Sequence, residues 1–448
     1  MDLRGKAVLV VGMARSGQAA ARLALRCGAR VICTDRRVDA AWVEGTEPVY
    51  GQHRRKDFLN ADLVVVSPGV PASQVDLVAA RAAGVTVIGE LGFAASFLDG
   101  VRILAISGTN GKSTATHLLG QLCVRAGLRT FVGGNLGRPL SEALDDVVDL
   151  AAPAASLDVA VVEVSSYQME LPGDFHPGAA AILNLTPDHL ERHGSIDGYG
   201  AHKVRMFARM GPDDVAILPV GDARLTTLAA GAPGRRLWLG GHPGVTVQGD
   251  ALLGFRLCFR GVGEDGELPL DGFPLPGAHN RTNLAAAALL ALCGGLRLDQ
   301  IDVTNLTGLP HRMQPIADRS GVRWIDDSKA TNVESALAAC SGLDRPVVML
   351  LGGRAKAGSA WALLAPPLRR ARAVICLGEA GPQIAAALVA EGLPVHRVHS
   401  LEDAVARAAA LAQSGDIVLL SPACASFDAF TDFEHRGRHY RALVEALP

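Results

Sequence analysis

Ile103-Leu104-Ala105-Ile106-Ser107-Gly108-Thr109-Asn110-Gly111-Lys112-Ser113-Thr114 is the stretch that decides how this chain is read. A short apolar strand runs into a glycine-containing turn, and a helical pattern follows from Ala115 to Ala126. Glycines let the backbone curl so that several N–H groups face one phosphate, and the helix N-terminus adds partial positive charge. In such a loop Lys112 contacts the outer phosphates and Ser113 holds a magnesium ion. The general pattern wants glycine at position 106, where this chain has Ile106, so the match is incomplete by that rule. A purely structural turn is the alternative, but the adjoining Lys-Ser-Thr favours an ATP-using enzyme.

Outward from this loop, short apolar runs alternate with Ala/Leu-rich amphipathic stretches. The runs are Ala7–Val11, Leu63–Val66, Ile103–Ile106, Val159–Val164, Ala181–Leu185, Val347–Leu351, Ala373–Leu377 and Ile417–Leu420. Parallel strands need crossover helices, so this alternation predicts α/β layers. One strand series ends near Gly89–Gly92, and a polar turn at Thr304–Pro310 precedes another. Three domains follow: 1–92, 93–307 and 308–448. Between Gly231 and Gly277 the chain is rich in Gly and Pro, which predicts a few short strands set into the middle domain.

Composition narrows the function classes. With 448 residues, 49% of them hydrophobic, the chain can bury several cores. A formal net charge of −2 without a long basic run argues against a nucleic-acid partner. The eight cysteines form no Cys-x-x-Cys pair and read as small buried hydrophobes in a reducing cytoplasm. Leu284–Cys293 is among the longest apolar runs and is far short of the ~20 residues a membrane span needs. The apolar stretch after Lys6 is cut by Arg15 and reads as a first core strand, not a secretory signal. A soluble, cytoplasmic protein is expected.

The other motifs each carry two readings. Gly12-Met13-Ala14-Arg15-Ser16-Gly17, with Asp35 closing the next strand, approximates a dinucleotide fingerprint, but Ala14 replaces the middle glycine. It binds a nucleotide phosphate or is a structural turn. Glu163 ends an apolar strand and is a magnesium ligand or a helix cap. Asp188 and His189, in Asn184–Leu190, bind metal or substrate, or lie in a solvated turn. Asn280 and Asn283 read an adenine edge or cap a helix. His311-Arg312 and Asp326–Asn332 could bring cationic groups to a polyphosphate, or form surface ion pairs. Gly352–Lys356 and Ser421–Asp428 follow strands and would sit at ligand-binding edges.

The order and spacing of these motifs, over about the whole chain, closely resemble the Mur ligase family. Its hallmark loop is Gly-Thr-Asn-Gly-Lys-Ser/Thr, which accounts for the glycine missing at 106. The resemblance implies an α/β fold of three domains: Rossmann-like N-terminal, P-loop ATPase central and Rossmann-like C-terminal. Within the family, Asp327–Asn332, Ser421–Asp428 and Phe433-Glu434-His435-Arg436-Gly437 resemble the branch that adds D-glutamate to UDP-N-acetylmuramoyl-L-alanine in peptidoglycan precursor synthesis.

The resemblance implies roles for matched positions. Gly108, Thr109, Asn110, Gly111, Lys112, Ser113 and Thr114 would hold ATP, with Asn280, Asn283, Arg312 and Asp327 completing the nucleotide site. Ser113, Glu163, His189 and a carbamylated Lys203 would bind two Mg²⁺ ions. An ammonium cannot ligate a cation, whereas its carbamate is an anionic oxygen donor. Lys112, His189, Lys203, Arg312 and Lys329 would serve catalysis. Thr331, Lys356, Ser426, Phe427 and Phe433 would hold D-glutamate. Ser16, Asp35, Arg36, Ser67, Pro68, Gly69 and Asn135 would hold the UDP-sugar. Gln314 and Ala357-Gly358-Ser359 depart from common family versions. A monomer is expected. The rival readings are a sister ligase adding another amino acid such as L-glutamate, an NAD-dependent oxidoreductase using Gly12–Gly17, and a non-catalytic nucleotide binder.

Overall fold

The run Ala-Val-Leu-Val-Val at Ala7–Val11 forms a strand buried along nearly its whole length, as expected for a strand covered on both faces. In the computed structural model it is β1, followed by β2 (Arg30–Asp35), β3 (Glu47–Tyr50), β4 (Leu63–Val66) and β5 (Thr86–Gly89). They pair in parallel in the order β3-β2-β1-β4-β5. The order reverses between β1 and β4, and ligands of doubly wound sheets bind beyond the strand ends at such a point. Gly12 and Ser67 sit there. The structure describes residues 1–250, 254–263, 265–275, 277–341, 343, 345–356 and 358–447. Ala357, part of one departure noted above, lies outside them.

The second sheet comprises β6 (Arg102–Ser107), β7 (Thr130–Gly134), β8 (Val159–Glu163), β9 (Ala179–Ile182), β10 (Val215–Pro219), β11 (Arg235–Leu239), β12 (Gly244–Asp250), β13 (Gly254–Arg260) and β14 (Gly266–Pro269). Its order is β14-β13-β12-β11-β10-β9-β6-β8-β7. The antiparallel β12, β13 and β14 are the short strands expected within Gly231–Gly277. Central β6 lies between β8 and β9, with Ile106 opposite Glu163 on one side and Ala181 on the other. The loop after β6 is thereby flanked by the ends of two neighbours.

The third sheet holds β15 (Gln314–Arg319), β16 (Val322–Asp326), β17 (Val347–Gly352), β18 (Ala373–Leu377), β19 (Val395–Arg397) and β20 (Ile417–Leu420). Its order is β15-β16-β20-β17-β18-β19, parallel except for β15 against β16. The chain divides into two compact units, Met1–Pro274 with Asn280–Leu306 and Leu275–His279 with Thr307–Pro448. The first two sheets lie in one unit and the third in the other.

Within the first unit one apolar core runs from β1 through Phe93 and Phe97 to Leu140, Leu144 and the second sheet, and another packs Phe58 and Leu77 against the other face of the first sheet. The Phe93 and Phe97 rings meet edge to face at 5.4 Å, and burying a side chain of this size contributes roughly 1.5–3 kcal/mol. A carboxyl group interrupts the first of these cores. Glu90 is 1% exposed, and its Oε1 accepts bonds from the Ser141 amide and hydroxyl, both at 2.7 Å. Burial pushes its pKa from 4.5 to about 7, against those two bonds.

The folded chain therefore keeps a proton that the unfolded chain releases near 4.5. Stability falls as pH rises from there to about 7 and is level above. Glu90→Gln should remove this slope, gaining up to ~3 kcal/mol over the parent at pH 8 and little at pH 4. Urea unfolding at both pH values reads the difference; the same pH slope in both proteins would contradict it.

Several sequence boundaries shift by one residue, and two shift further. The phosphate-loop helix spans Lys112–Arg125, beginning before Ala115, because Gly111 at φ 85° is its cap and Lys112 already has helical geometry. The strand expected at Ala181–Leu185 is β9, Ala179–Ile182. Asn184 leaves the ladder to bond to the phosphate loop.

Candidate active site

The phosphate loop is held open by its neighbours. Asn184 Oδ1 accepts from the Thr109 and Asn110 amides at 3.1 and 2.9 Å, and its Nδ2 donates to the Asn110 carbonyl at 3.0 Å. The Thr109 hydroxyl donates to Thr186 O at 3.1 Å. Gly108 and Gly111 have φ of 143° and 85°. A Cβ at Gly111 would also collide with Asn283 Oδ1, so Asn283 rests against the loop. Asn280 and Asn283 are both buried.

Two lysines converge on one loop carbonyl. Lys112 Nζ donates to Gly108 O at 2.9 Å and Thr109 O at 2.7 Å, while Lys203 Nζ donates to Gly108 O at 2.7 Å. Lys203 is 1% exposed, with its Nζ 4.4 Å from the Tyr199 ring centroid. Burial pushes its pKa well below the usual range, the Lys112 charge pushes the same way, and Asp188 and Glu163 oppose. A neutral amine here is a nucleophile for carbon dioxide, and the resulting carbamate would meet the Lys112 charge as an anion.

Glu163 is 2% exposed at the end of β8. Its Oε1 accepts from Asn135 Nδ2 at 2.7 Å, but its buried Oε2 has no hydrogen-bond partner. Ser113 is buried in the first turn of the adjoining helix. An unused carboxylate oxygen and a hydroxyl are the hard donors that Mg²⁺ takes, with water and phosphate oxygens filling its other positions. Among the described residues no three His, Cys, Asp or Glu side chains gather into an all-protein metal cage. The residues present fit a phosphate-bound Mg²⁺.

His189 follows in a left-handed conformation at φ 52°, its amide bonded to Asp188 Oδ1 at 3.0 Å. Its Nδ1 lies 3.2 Å from the Tyr167 hydroxyl. His193 packs against Tyr167 and Tyr199. Burial, helped by the His202 charge, lowers its pKa to about 4, so it is neutral near pH 7.

At the N-terminal turn, Asp35 Oδ2 accepts from the Met13 amide at 2.7 Å, and its Oδ1 accepts from the Arg37 amide at 2.9 Å. Burial works to raise the Asp35 pKa, but the Arg37 guanidinium and these amides hold it at about 2. Arg37 makes this pair, and Arg36, expected at the UDP-sugar, is exposed beside it. Ser67 donates to Gly12 O at 2.6 Å. Ser16 is half-buried at the start of its helix, and Pro68 and Gly69 continue the loop after Ser67. A Cβ at Gly17 would strike Gly12 O, so the turn's two glycines pack against each other. Asn135, read from sequence as a UDP-sugar residue, has its amide group on Glu163.

The second unit gathers its residues beyond β16, β17 and β20. Asp327 accepts from the Met313 amide at 3.1 Å and the Ser421 hydroxyl at 2.6 Å. Burial raises its pKa to about 7 against those bonds and the Arg312 charge. Arg436, 2% exposed, donates to Ser328 Oγ and to the carbonyls of Ser328 and Cys424. A Cβ at Gly437 would collide with His311, itself bonded to Asp326 at 2.6 Å. Lys329 Nζ lies 4.0 Å from the Phe433 ring centroid. Thr331 and Lys356 are half-buried and Ser426 is buried. Phe427 is 62% exposed.

Sequence reasoning missed Asn184 as the clamp on the phosphate loop, Tyr167 beside His189, and Arg436 as the knot of the second unit. The position of Asn184 at the C-terminal end of a strand run was the available signal. For the other two, only long-range packing reveals the contact.

Three family models match successive parts of the chain. They are the Mur ligase MurD-like N-terminal domain over residues 6–89, the Mur ligase middle domain over 106–291, and the Mur ligase glutamate ligase domain over 311–424. The chain belongs to the Mur ligase family. The UDP-N-acetylmuramoylalanine–D-glutamate ligase of Myxococcus xanthus is 42% identical, covering 100% of both chains. The relative of that name in Anaeromyxobacter dehalogenans is 43% identical, over 99% of this chain and 98% of its own. Among solved structures, MurF from Acinetobacter baumannii matches with a TM-score of 0.64 at 20% identity, over 99% of this chain and 91% of that one. This Mur ligase therefore has the three-domain α/β architecture expected from its motifs. No helix among its described residues is long and apolar enough to cross a membrane.

Proposed function

We propose that this Mur ligase adds D-glutamate to UDP-N-acetylmuramoyl-L-alanine, using ATP, in peptidoglycan precursor synthesis. The substrate assignment rests on full-length likeness to relatives bearing that name. The observation that carries the chemistry is the phosphate loop with Lys112 and Lys203 on one carbonyl. A carboxylate is a poor acyl donor at neutral pH, so its oxygen must first become part of a leaving group.

The substrate carboxylate attacks the γ-phosphorus of ATP, the bond to the bridging oxygen breaks, and ADP leaves. The amine of D-glutamate then attacks the carbonyl carbon of the acyl phosphate. The tetrahedral adduct expels phosphate and loses a proton, leaving an amide. Lys112 and the loop amides offset charge on the outer phosphates. Mg²⁺ held by Ser113 and Glu163 supplies further charge neutralisation when bound. His189 and Lys203, as the carbamate formed from its amine and CO₂ with loss of one proton, serve a second ion. Asn280, Asn283, Arg312 and Asp327 handle the nucleotide. Thr331, Lys356, Ser426, Phe427 and Phe433 take D-glutamate, with Lys329 beside Phe433. Ser16, Asp35, Arg36, Ser67, Pro68, Gly69 and Asn135 take the UDP-sugar.

A monomer is the working unit of this reading. The eight cysteines are free thiols, which suits a reducing cytoplasm. Three domains, 1–92, 93–307 and 308–448, divide this labour. Release of ADP tests the reading: D-glutamate with the UDP-linked substrate should sustain it, and turnover with L-glutamate alone would sink the assignment.

A further inference from the structure

His189 begins a helix of only four residues, Leu190–His193, none of them buried. A helix so short has no stability of its own in water. The left-handed backbone of His189 likewise persists only if its surroundings hold it. What fixes this segment is its side-chain bonds.

His193 Nε2 lies 3.0 Å from Ser166 Oγ, and Arg192 makes three bonds. Its Nε donates to Glu170 Oε1 at 2.6 Å and its Nη2 to Glu170 Oε2 at 2.9 Å, a two-pronged pair with both side chains largely shielded from water. Such forked, charge-assisted bonds fix orientation as well as position. The same Nη2 reaches Val70 O at 3.3 Å, and Glu170 Oε2 also accepts from the Ala72 amide at 3.1 Å. The guanidinium lies 4.9 Å from the centroid of Tyr167, whose hydroxyl contacts His189.

Val70 and Ala72 belong to the loop after β4, at the reversal point of the first sheet. That loop is seated on the N-terminal turn, since Ser67 donates to Gly12 O and a Cβ at Gly12 would strike Val70. A continuous set of bonds thus joins the turn at Gly12 to His189 beside the phosphate loop. Nothing in the motif reading used Arg192 or Glu170.

We infer that the Arg192–Glu170 pair is a positioning device that fixes His189 relative to the 67–72 loop, coupling occupancy of the N-terminal turn by a UDP-linked ligand to the geometry of carboxylate activation. This rests on the proposed ligase reaction. Neither residue touches the reacting atoms; both act through His189 and the loop.

The test uses full-length Arg192→Ala, Arg192→Lys and Glu170→Gln. Each should lower kcat on the order of 10–100-fold while ADP affinity stays within about twofold of the parent. Arg192→Lys should remain impaired, because an ammonium keeps the charge but lacks the fork. Arg192→Ala combined with Glu170→Gln should be no worse than the worse single variant. A second readout needs no turnover: in ¹⁵N-histidine-labelled protein, added UDP should shift the His189 ring signals in the parent and not in the variants. If Arg192→Ala does not fold, the two milder variants decide.

Folded variants with parental kcat, ADP affinity that falls in parallel with kcat, or an unchanged His189 response to UDP would overturn the inference. Failure of the ligase reading is distinct. It shows as a parent that releases no ADP with the UDP-linked substrate, while the His189 response still decides the coupling.

Discussion

Lys203→Ala is expected to lose activity by about 10²-fold or more, and to regain part of it with added formate or acetate. Lys203 is buried, lies against the Tyr199 ring, and shares the Gly108 carbonyl with Lys112. Burial penalises the Lys203 charge most, and repulsion from the Lys112 ammonium on the same carbonyl adds to that cost. The arrangement therefore favours a neutral Lys203 amine, and carbamylation would turn it into an anion beside Lys112 and the Glu163 carboxylate proposed to bind magnesium. Alanine leaves a gap that a small carboxylate can enter, supplying the lost oxygen donors. The steady-state rate, with and without the added anion, reads both effects. A variant that keeps parental activity, or one that no carboxylate restores, contradicts the carbamate role.

Lys112→Ala should cut phosphoryl transfer by on the order of 10²–10³-fold, as loss of one preorganised charge does elsewhere. Its ammonium is held on Gly108 O and Thr109 O, within the loop that would receive the phosphates. The glycine geometry and the Asn184 clamp do not depend on that side chain, so the loop should keep its shape. The loss should fall on kcat for acyl-phosphate formation more than on ATP affinity, because charge on the transferring group is what Lys112 offsets. Single-turnover ADP formation measures this. Near-parental rates would remove Lys112 from the mechanism.

The fold was largely readable, because its strands are short β-branched runs with little competing pattern. Ala7–Val11, Leu63–Val66, Ala373–Leu377 and Ile417–Leu420 form as read. The boundaries that moved furthest lie at the phosphate loop, where Gly111 caps the helix in a left-handed conformation and Asn184 leaves its ladder to bond to the loop. Placement was readable where it is local: Lys112 and Ser113 open the helix after the loop, and Glu163 ends β8. It was not readable where the partner is distant in sequence. Asn135 lies 28 residues from Glu163 and Arg192 lies 122 from Val70. Arg37 escaped notice for another reason: two adjacent arginines follow Asp35, and only the backbone direction selects which one turns back to it.

Activation of a carboxylate by ATP is the central claim, and label transfer tests it most directly. The parent enzyme is given ATP, D-glutamate and UDP-N-acetylmuramoyl-L-alanine carrying ¹⁸O in its alanine carboxylate. One labelled oxygen should appear in each released phosphate, in step with ADP and amide. Amide formed alongside unlabelled phosphate would contradict the account.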